Sequence, residues 1–227
     1  MNRKHKRKHK KKSKMNLMKR ILFTAAVLAA SAGLYCMAVN TCSSGENQPA
    51  AKQQQYQEKS YPTPNVDPVK VNEVKGIILH HTAEPTVERS LFVLTKGERG
   101  VGTHVVIDTD GTRYIMCRPD QVTYHAGKSY LAGREGCNNF TVGIELQGNT
   151  LEKPLTEDQI NSAVEYMLPL IAKYNIPLEN IVTHEMIRKA YKKRHPRERV
   201  YDKVDITPTE YKRVMAALKA ALDKQEK

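Results

Sequence analysis

The segment KGIILHH at residues 75–81 is the most informative part of the sequence for the architecture. It is a short run of mainly apolar, partly β-branched residues that ends in two histidines. A run without polar alternation is typical of a strand buried on both faces, as happens where helices cover both sides of a sheet. We therefore expect residues 75–81 to form a central strand, with His80 at its end.

Four more segments of the chain predict strands. Two of them, GTHVVID at 102–108 and the following TRYIMC, are joined by an Asp-Gly pair at 110–111 that is typical of a tight hairpin turn. A third, TVGIELQ at 141–147, is an apolar run with one acid, Glu145, inside it. The last is the short segment 180–183, directly before a histidine.

Three segments predict helices. Apolar residues recur at helical spacing in 85–96. Thr156, followed three residues later by Gln159, has the form of a capping box and opens the second helix. The third begins at TPTE, residues 207–210, which combines an N-cap threonine with a proline in the first turn. Strands interspersed with helices, plus one hairpin, predict a single α/β domain with a central mixed β-sheet flanked by helices.

The first forty residues have a different composition. Residues 1–20 contain eleven Lys and Arg and no acid, so they carry most of the formal net charge of +13 and leave the remainder close to neutral. Residues 21–40 are uncharged, mainly apolar and long enough to cross a bilayer as a helix. A basic flank before such a segment predicts a cytoplasmic N-terminus and an exported remainder. It also argues against a nucleic-acid partner, because the charge does not lie on the domain.

The apolar segment leaves three alternatives open. It is an uncleaved transmembrane anchor, a cleaved signal peptide, or the site of lipid attachment at Cys36 or Cys42. Each alternative places the domain outside the cytoplasm, in the periplasm, either anchored to the inner membrane or secreted. Residues 41–70 are rich in Gln, Ser, Pro and Lys and predict a flexible linker. The folded domain is therefore expected at 71–227, as a monomer.

Three metal-capable side chains stand at the ends of predicted elements. His80 and His184 follow strands, and Asp205 precedes the last helix. Two neutral imidazoles and one carboxylate, with a fourth position left for water, form the ligand set of a catalytic zinc site. Each residue alone is weak evidence, because a histidine at a strand end commonly has a structural role.

The surrounding sequence is more specific. In chain order, IILHHTA, THVVIDTDG, YHAGKSYLAGREGCNNFTVGIELQGN, VTHEMIR and DKVD resemble the type-2 N-acetylmuramoyl-L-alanine amidase family of zinc enzymes. The resemblance is strongest to its bacterial anhydro-muramyl-peptide amidase branch, in residues 133–148, and extends over roughly residues 74–222. It implies a peptidoglycan recognition protein/amidase-like fold. It also implies hydrolysis of the amide bond between N-acetylmuramic acid and L-alanine in peptidoglycan or its fragments, with one zinc ion.

The resemblance implies roles for individual residues as well. His80, His184 and Asp205 would bind the zinc ion, the last of them within the family's Lys-x-Asp pattern. Lys203 would stabilise the developing oxyanion. Glu145 would take a proton from the attacking water and pass it to the leaving nitrogen.

Four substrate contacts are implied by position. They are Tyr124, His125, Arg134 and Asn139, which lie in the segment that lines the cleft in relatives. Arg134 is expected to bind a stem-peptide carboxylate, because its planar fork matches a carboxylate in two places.

Five further residues of the domain are expected to have no catalytic role. His81 and His104 are expected to pack or make local hydrogen bonds, and Thr103 stands where some phage-type relatives carry a catalytic tyrosine. Cys117 and Cys137 are expected to be partly buried thiols, because two cysteines do not make a disulfide scaffold in a domain of this size.

One segment departs from the family pattern. The interval between His184 and Asp205 is longer than expected, and its residues 189–203 are strongly basic. His195 lies within it and is an alternative third ligand, although Asp205 alone has the Lys-x-Asp context. We expect this basic insert to be a solvated loop; contact with anionic glycan or lipid phosphate is the alternative.

The ligand set separates two functions. A zinc amidase of cell-wall remodelling or turnover needs the three ligands together with Glu145 and Lys203, and all five residues are present. A recognition module on the same fold would bind peptidoglycan without cleaving it. The sequence favours the enzyme and leaves open whether its substrate is the intact sacculus or released muropeptides.

Overall fold

The computed structural model describes residues 56–98, 100–200 and 205–225. The basic lead, the apolar segment 21–40 and the first part of the expected linker lie outside these residues, as does Lys203. Among the helices in the described ranges, none combines the length and the apolar character needed to cross a membrane.

A mixed sheet organises the domain. In chain order, the strands of the described residues are β1 Glu58–Ser60, β2 Val66–Val71, β3 Gly76–His81, β4 Val105–Ile107, β5 Arg113–Ile115, β6 Gln121–Thr123, β7 Tyr130–Leu131, β8 Arg134–Glu135, β9 Thr141–Leu146 and β10 Ile181–Thr183. Six of them form one sheet in the order β1-β5-β4-β9-β3-β10. Only the β4–β5 hairpin is antiparallel within it. Strand β3 is an interior strand, although it lies one position from the edge.

Four α-helices accompany the strands within the described ranges. They are α1 Val87–Lys96, α2 Glu157–Tyr174, α3 His184–Arg194 and α4 Pro208–Gln225. The predicted capping box of α2 is present, since Thr156 and Gln159 exchange side-chain hydrogen bonds with each other's backbone amides. Helix α3 was not predicted. Its buried Ile187 and Tyr191 lie one turn apart, and the many basic residues around them concealed this spacing.

The strands present two different faces. On one face, Leu79 of β3 and Ile144 of β9 pack with α2 and α4 in the largest apolar cluster of the described residues. Because side chains alternate along a strand, the neighbouring His80 and Glu145 point to the opposite face. There α1 packs over β4, α3 packs over β3 and β10, and a cleft remains between the two helices.

The expected linker boundary at residue 71 is wrong. Strand β1 pairs with β5, and β2 pairs with β6, so residues from Tyr56 onward belong to the domain. Tyr56 is buried, and its hydroxyl donates a hydrogen bond of 2.9 Å to Asp158. Its ring covers Gly111, where a Cβ atom would come within 2.3 Å of it. The side chains of both strands are mostly exposed, so backbone pairing holds these strands rather than burial of their side chains.

Candidate active site

Three elements bring the predicted ligands together. His80 lies in β3, His184 is the first residue of α3 after β10, and Asp205 lies just before α4. Because β3 and β10 are parallel neighbours, their carboxyl ends meet at one edge of the sheet. One potential ligand atom from each residue lies within 4.8 Å of the other two. The group could therefore hold a metal ion.

Asp205 is fully buried, and the backbone fixes its orientation. Its Oδ1 accepts hydrogen bonds from the amides of His81 (2.7 Å) and Ile206 (3.1 Å). Its Oδ2 lies 3.3 Å from Nδ1 of His80 and 3.1 Å from Nδ1 of His184. A buried carboxylate needs positive charge nearby, and this orientation directs one oxygen toward the two imidazoles.

Glu145 lies beside this group on the floor of the cleft. In the register of β3 and β9 it is directly opposite His80. Its side chain is mostly buried, and Oε2 has no hydrogen-bond partner among the residues that the structure describes. A buried polar atom without a protein partner calls for an explanation. A water or substrate atom in the cleft would satisfy it.

His125 lies behind His80, with only part of its surface toward the cleft. Its Nδ1 is 3.2 Å from Nε2 of His80. Burial, together with the neighbouring rings of His80, His104 and His184, holds the pKa of His125 well below its usual value. A hydrogen bond to the backbone of Thr141 opposes this shift in part. His125, predicted as a substrate contact, therefore contacts the candidate metal ligand His80.

The cleft has a volume of about 420 Å³ and two unlike walls. On the α1 side it is lined by the apolar side chains of Val93 and Leu94. On the α3 side it is lined by the cations Arg188 and Arg199. Arg188 follows His184 by four residues on α3, and this spacing places both side chains on one side of the helix. The same spacing in the sequence could have indicated Arg188 as a residue of the site.

The other predicted substrate residues divide into two groups. Tyr124 lines the cleft and is partly exposed. The described part of the cleft wall includes neither Arg134 nor Asn139. Nη1 and Nη2 of Arg134 each donate a hydrogen bond of 2.8 Å to Glu73, so its carboxylate partner is a residue of this chain. Asn138, not singled out in the sequence, lines the cleft instead of Asn139.

The described part of the basic insert is solvated, since most of its basic side chains are exposed, but its first part is a helix and not a loop. Its first residues continue α3 to Arg194. Nε2 of His195 lies 2.7 Å from Glu135 on β8, which separates His195 from the candidate ligand group. Glu198 accepts hydrogen bonds from Lys128 (2.6 Å) and from Tyr191 (3.0 Å). These contacts anchor the segment, and it forms part of the cleft wall.

The residues expected to be structural are buried. Nδ1 of His81 accepts a hydrogen bond of 3.1 Å from the amide of Thr150 and lies 2.9 Å from the hydroxyl of the same residue. His104 accepts a hydrogen bond of 2.9 Å from the Gly143 amide, and burial lowers the pKa of His104 to about 4. Cys117 and Cys137 are free thiols, and burial raises their pKa values to about 12 and about 11. Thr103, next to His104 in the sequence, is buried and does not belong to the candidate ligand group.

This α/β domain, with two histidines and one carboxylate together at the floor of a cleft, has the donor set of a protein that could bind one metal ion. The family model described as N-acetylmuramoyl-L-alanine amidase matches residues 70–198, more than half of the chain. The chain therefore belongs to the N-acetylmuramoyl-L-alanine amidase family.

Individual relatives match shorter stretches. The 1,6-anhydro-N-acetylmuramyl-L-alanine amidase AmpD of Enterobacter cloacae is 41% identical over 68 residues, which are 30% of this chain and 36% of the relative. AmpD of Haemophilus influenzae is 37% identical over 87 residues, covering 37% and 46%. The N-acetylmuramoyl-L-alanine amidase AmiD of Escherichia coli is 27% identical over 126 residues, covering 49% and 45%. The chain thus spans less than half the length of these curated relatives.

Two solved structures share the fold. A selenomethionine derivative of AmpD superposes with a TM-score of 0.53 at 21% identity, covering 71% of this chain and 96% of that one. A mutant endolysin from Bacillus subtilis gives a TM-score of 0.53 at 20% identity, covering 72% and 99%. These similarities confirm the predicted mixed sheet flanked by helices.

Proposed function

We propose that this protein is a zinc-dependent N-acetylmuramoyl-L-alanine amidase that hydrolyses the bond between N-acetylmuramic acid and L-alanine. One observation carries the proposal: the His80, His184 and Asp205 group lies beside the buried carboxylate of Glu145 on the floor of a cleft. Family membership supports the same activity.

The donor set fits zinc. Two imidazole nitrogens and one carboxylate oxygen are a ligand combination that catalytic zinc sites use, with a further position open to water or substrate. The Asp205 carboxylate lies between the two histidines, as a shared ligand set requires. When bound, zinc would lower the pKa of a water molecule and polarise the substrate carbonyl.

The residues of this chain supply the proton transfers and the orientation. Glu145, with one oxygen lacking a protein partner among the described residues, is placed to take a proton from the attacking water. It then returns the proton to the L-alanine nitrogen as the amide bond breaks, a role typically worth roughly 10²–10⁴-fold in rate. Lys203 is proposed from the sequence alone to stabilise the carbonyl oxyanion, because the structure does not describe it.

The cleft suits a muropeptide. A glycan-linked stem peptide combines the aliphatic surfaces of sugar and alanine with carboxylates farther along the peptide. The apolar α1 wall and the cationic α3 wall offer complementary surfaces to these two parts. We propose peptidoglycan or its soluble fragments as the substrate class.

We further propose that the enzyme acts outside the cytoplasm as a monomer. The support for export is the basic lead at 1–20 followed by the uncharged segment at 21–40. Protease digestion of intact spheroplasts would test this location. We expect the domain to be degraded while a cytoplasmic marker survives; survival of both would contradict export.

The activity is tested with the purified full chain in detergent and with defined muropeptides. We expect release of peptides with a free L-alanine amino group, loss of that release after chelation, and recovery when zinc is restored. Intact and 1,6-anhydro muramyl substrates are compared in parallel to define the glycan end. Muropeptide binding by zinc-loaded protein without cleavage would instead leave a recognition module.

A further inference from the structure

His125 is more enclosed than a substrate contact needs to be. It is 8% exposed, and both of its ring nitrogens face other side chains. Nδ1 faces His80 at 3.2 Å, and Nε2 faces the hydroxyl of Thr141 at 3.5 Å. The ring therefore connects a candidate metal ligand to the interior of the domain.

The direction of this connection follows from its inner end. The hydroxyl of Thr141 lies 2.7 Å from the carbonyl oxygen of Cys137 and donates its hydrogen there, because a carbonyl can only accept. Toward His125 the same hydroxyl can then only accept. Nε2 of His125 is thus the nitrogen that carries hydrogen.

The assignment continues outward to the site. A neutral imidazole with hydrogen on Nε2 has an acceptor at Nδ1, so Nδ1 of His125 accepts from Nε2–H of His80. His80 in turn has a bare Nδ1, which lies 3.3 Å from the carboxylate oxygen Oδ2 of Asp205. Two electron-pair donors at this distance repel each other unless a cation lies between them. The direction of the hydrogen bonds and the geometry of the candidate ligands therefore both favour the His80 tautomer with hydrogen on Nε2 and a free Nδ1.

The position of His125 is fixed by its surroundings. Oδ1 of Asn138 accepts from the backbone amides of His125 and Ala126 at 3.0 and 2.8 Å. Gly143 in β9 leaves room for the ring, since a Cβ atom there would come within 2.7 Å of it. A glycine inside a strand commonly marks such a close approach.

We propose that His125 is a positioning residue that holds His80 in the tautomer with a free Nδ1 and thereby prepares it to bind the metal ion. This inference rests on the proposed function, because it requires a metal at the His80, His184 and Asp205 group. Partners of this kind, which bond the second nitrogen of a metal-bound histidine, typically contribute roughly 10–100-fold to metal affinity.

The test measures zinc affinity by competition with a chromophoric chelator for the full chain and four variants. His125→Leu removes the acceptor, whereas His125→Asn retains an acceptor oxygen near the position of Nδ1. Thr141→Val removes the inner hydroxyl, and Thr141→Ser retains it. The absorption spectrum of the cobalt-substituted proteins reports ligand geometry independently of activity. The unfolding midpoint of each metal-free protein reports folding.

We expect His125→Leu to lose about 10–100-fold in zinc affinity and to show an altered cobalt spectrum, with His125→Asn recovering most of both. Thr141→Val should weaken zinc binding more than Thr141→Ser does. If His125→Leu does not fold, the Thr141 pair decides the question. Equal zinc affinity and unchanged spectra within each pair would overturn the inference while leaving the amidase proposal intact. A wild-type chain that binds no zinc would overturn both.

Discussion

The two faces of the six-stranded sheet differ in chemistry although the same strands build both. Leu79 and His80 are adjacent in β3, and Ile144 and Glu145 are adjacent in β9. The first member of each pair is buried against α2 and α4. The second member belongs to the face between α1 and α3, where the cleft lies. Period-two alternation thus separates the core from the site by a single residue.

The two faces therefore contribute to different properties: the apolar face to stability and the cleft face to the candidate site. The apolar face buries its side chains completely and contributes by transfer from water, at about 1.5–3 kcal/mol for each large side chain. The cleft face buries a carboxylate and several imidazoles. Burial of such polar groups costs folding free energy unless they are paired or hydrogen-bonded. The arrangement of this face is therefore explained by the ligands it could bind. Substitutions on the two faces should have separable effects.

The largest effect should follow from Glu145→Gln on the cleft face. The amide has the same shape but cannot take a proton, so kcat for muropeptide hydrolysis should fall by about 10²–10⁴-fold. Zinc content and the unfolding midpoint should stay close to those of the wild type. Glu179→Gln, an exposed change after α2, is the matched control and should leave kcat unchanged. Full activity in Glu145→Gln would remove this residue from the mechanism.

The opposite result is expected from Met167→Ala in α2, on the apolar face. Met167 is fully buried, and truncating it opens a cavity that should cost about 2–5 kcal/mol of unfolding free energy. Zinc affinity and kcat should be retained at temperatures where the variant is folded. Met186→Ala is the control, since that side chain is 46% exposed. A loss of zinc binding in folded Met167→Ala would show that the two faces are not separable.

The cleft face should also make stability depend on pH. Burial lowers the pKa of His104 from 6.5 to about 4, so the unfolded chain binds a proton more readily than the folded one. The corresponding stability is present above pH 6.5 and is lost as the pH falls toward 4, by up to about 3 kcal/mol. Denaturant unfolding between pH 4 and 7 measures this loss. The dependence should be shallower in His104→Asn; an identical slope would assign it to other groups.

The smallest effect should come from Thr156→Ala at the start of α2. The hydroxyl caps the helix by accepting from the Gln159 amide at 3.0 Å, and its loss should cost about 1 kcal/mol. Thr156→Ser, which retains the hydroxyl, should recover most of this cost. Urea unfolding curves measure both variants. A change in kcat in Thr156→Ala would extend the influence of the apolar face to the site.

The sequence predicts best what is local or strongly periodic. The apolar runs around Leu79 and Ile144, the turn at Gly111 and the capping box at Thr156 each contain their signal within a few residues, and the structure has them as predicted. The resemblance to the family predicted which three residues form the candidate ligand group. His80, His184 and Asp205 are far apart in the chain, and only the folded sheet and helix ends bring them within 4.8 Å.

Non-local pairing explains what the sequence did not predict. Strand β1 is short and exposed and depends on a partner more than fifty residues later, Arg113 opposite Glu58. The contact of Arg134 with Glu73 likewise depends on tertiary structure, so a cation suited to a substrate carboxylate was already paired. His125 was assigned to substrate because of its segment, whereas its ring lies against His80.

We propose that the cleft face holds one metal ion between His80 of β3, His184 of α3 and Asp205, three residues before α4. Anomalous diffraction at the zinc absorption edge, from crystals of the zinc-loaded full chain, would locate this ion. We predict a single strong peak about 2.0–2.2 Å from Nδ1 of His80, Nδ1 of His184 and a carboxylate oxygen of Asp205. Crystals that bind zinc elsewhere, or that show no peak among these three side chains, would contradict the account.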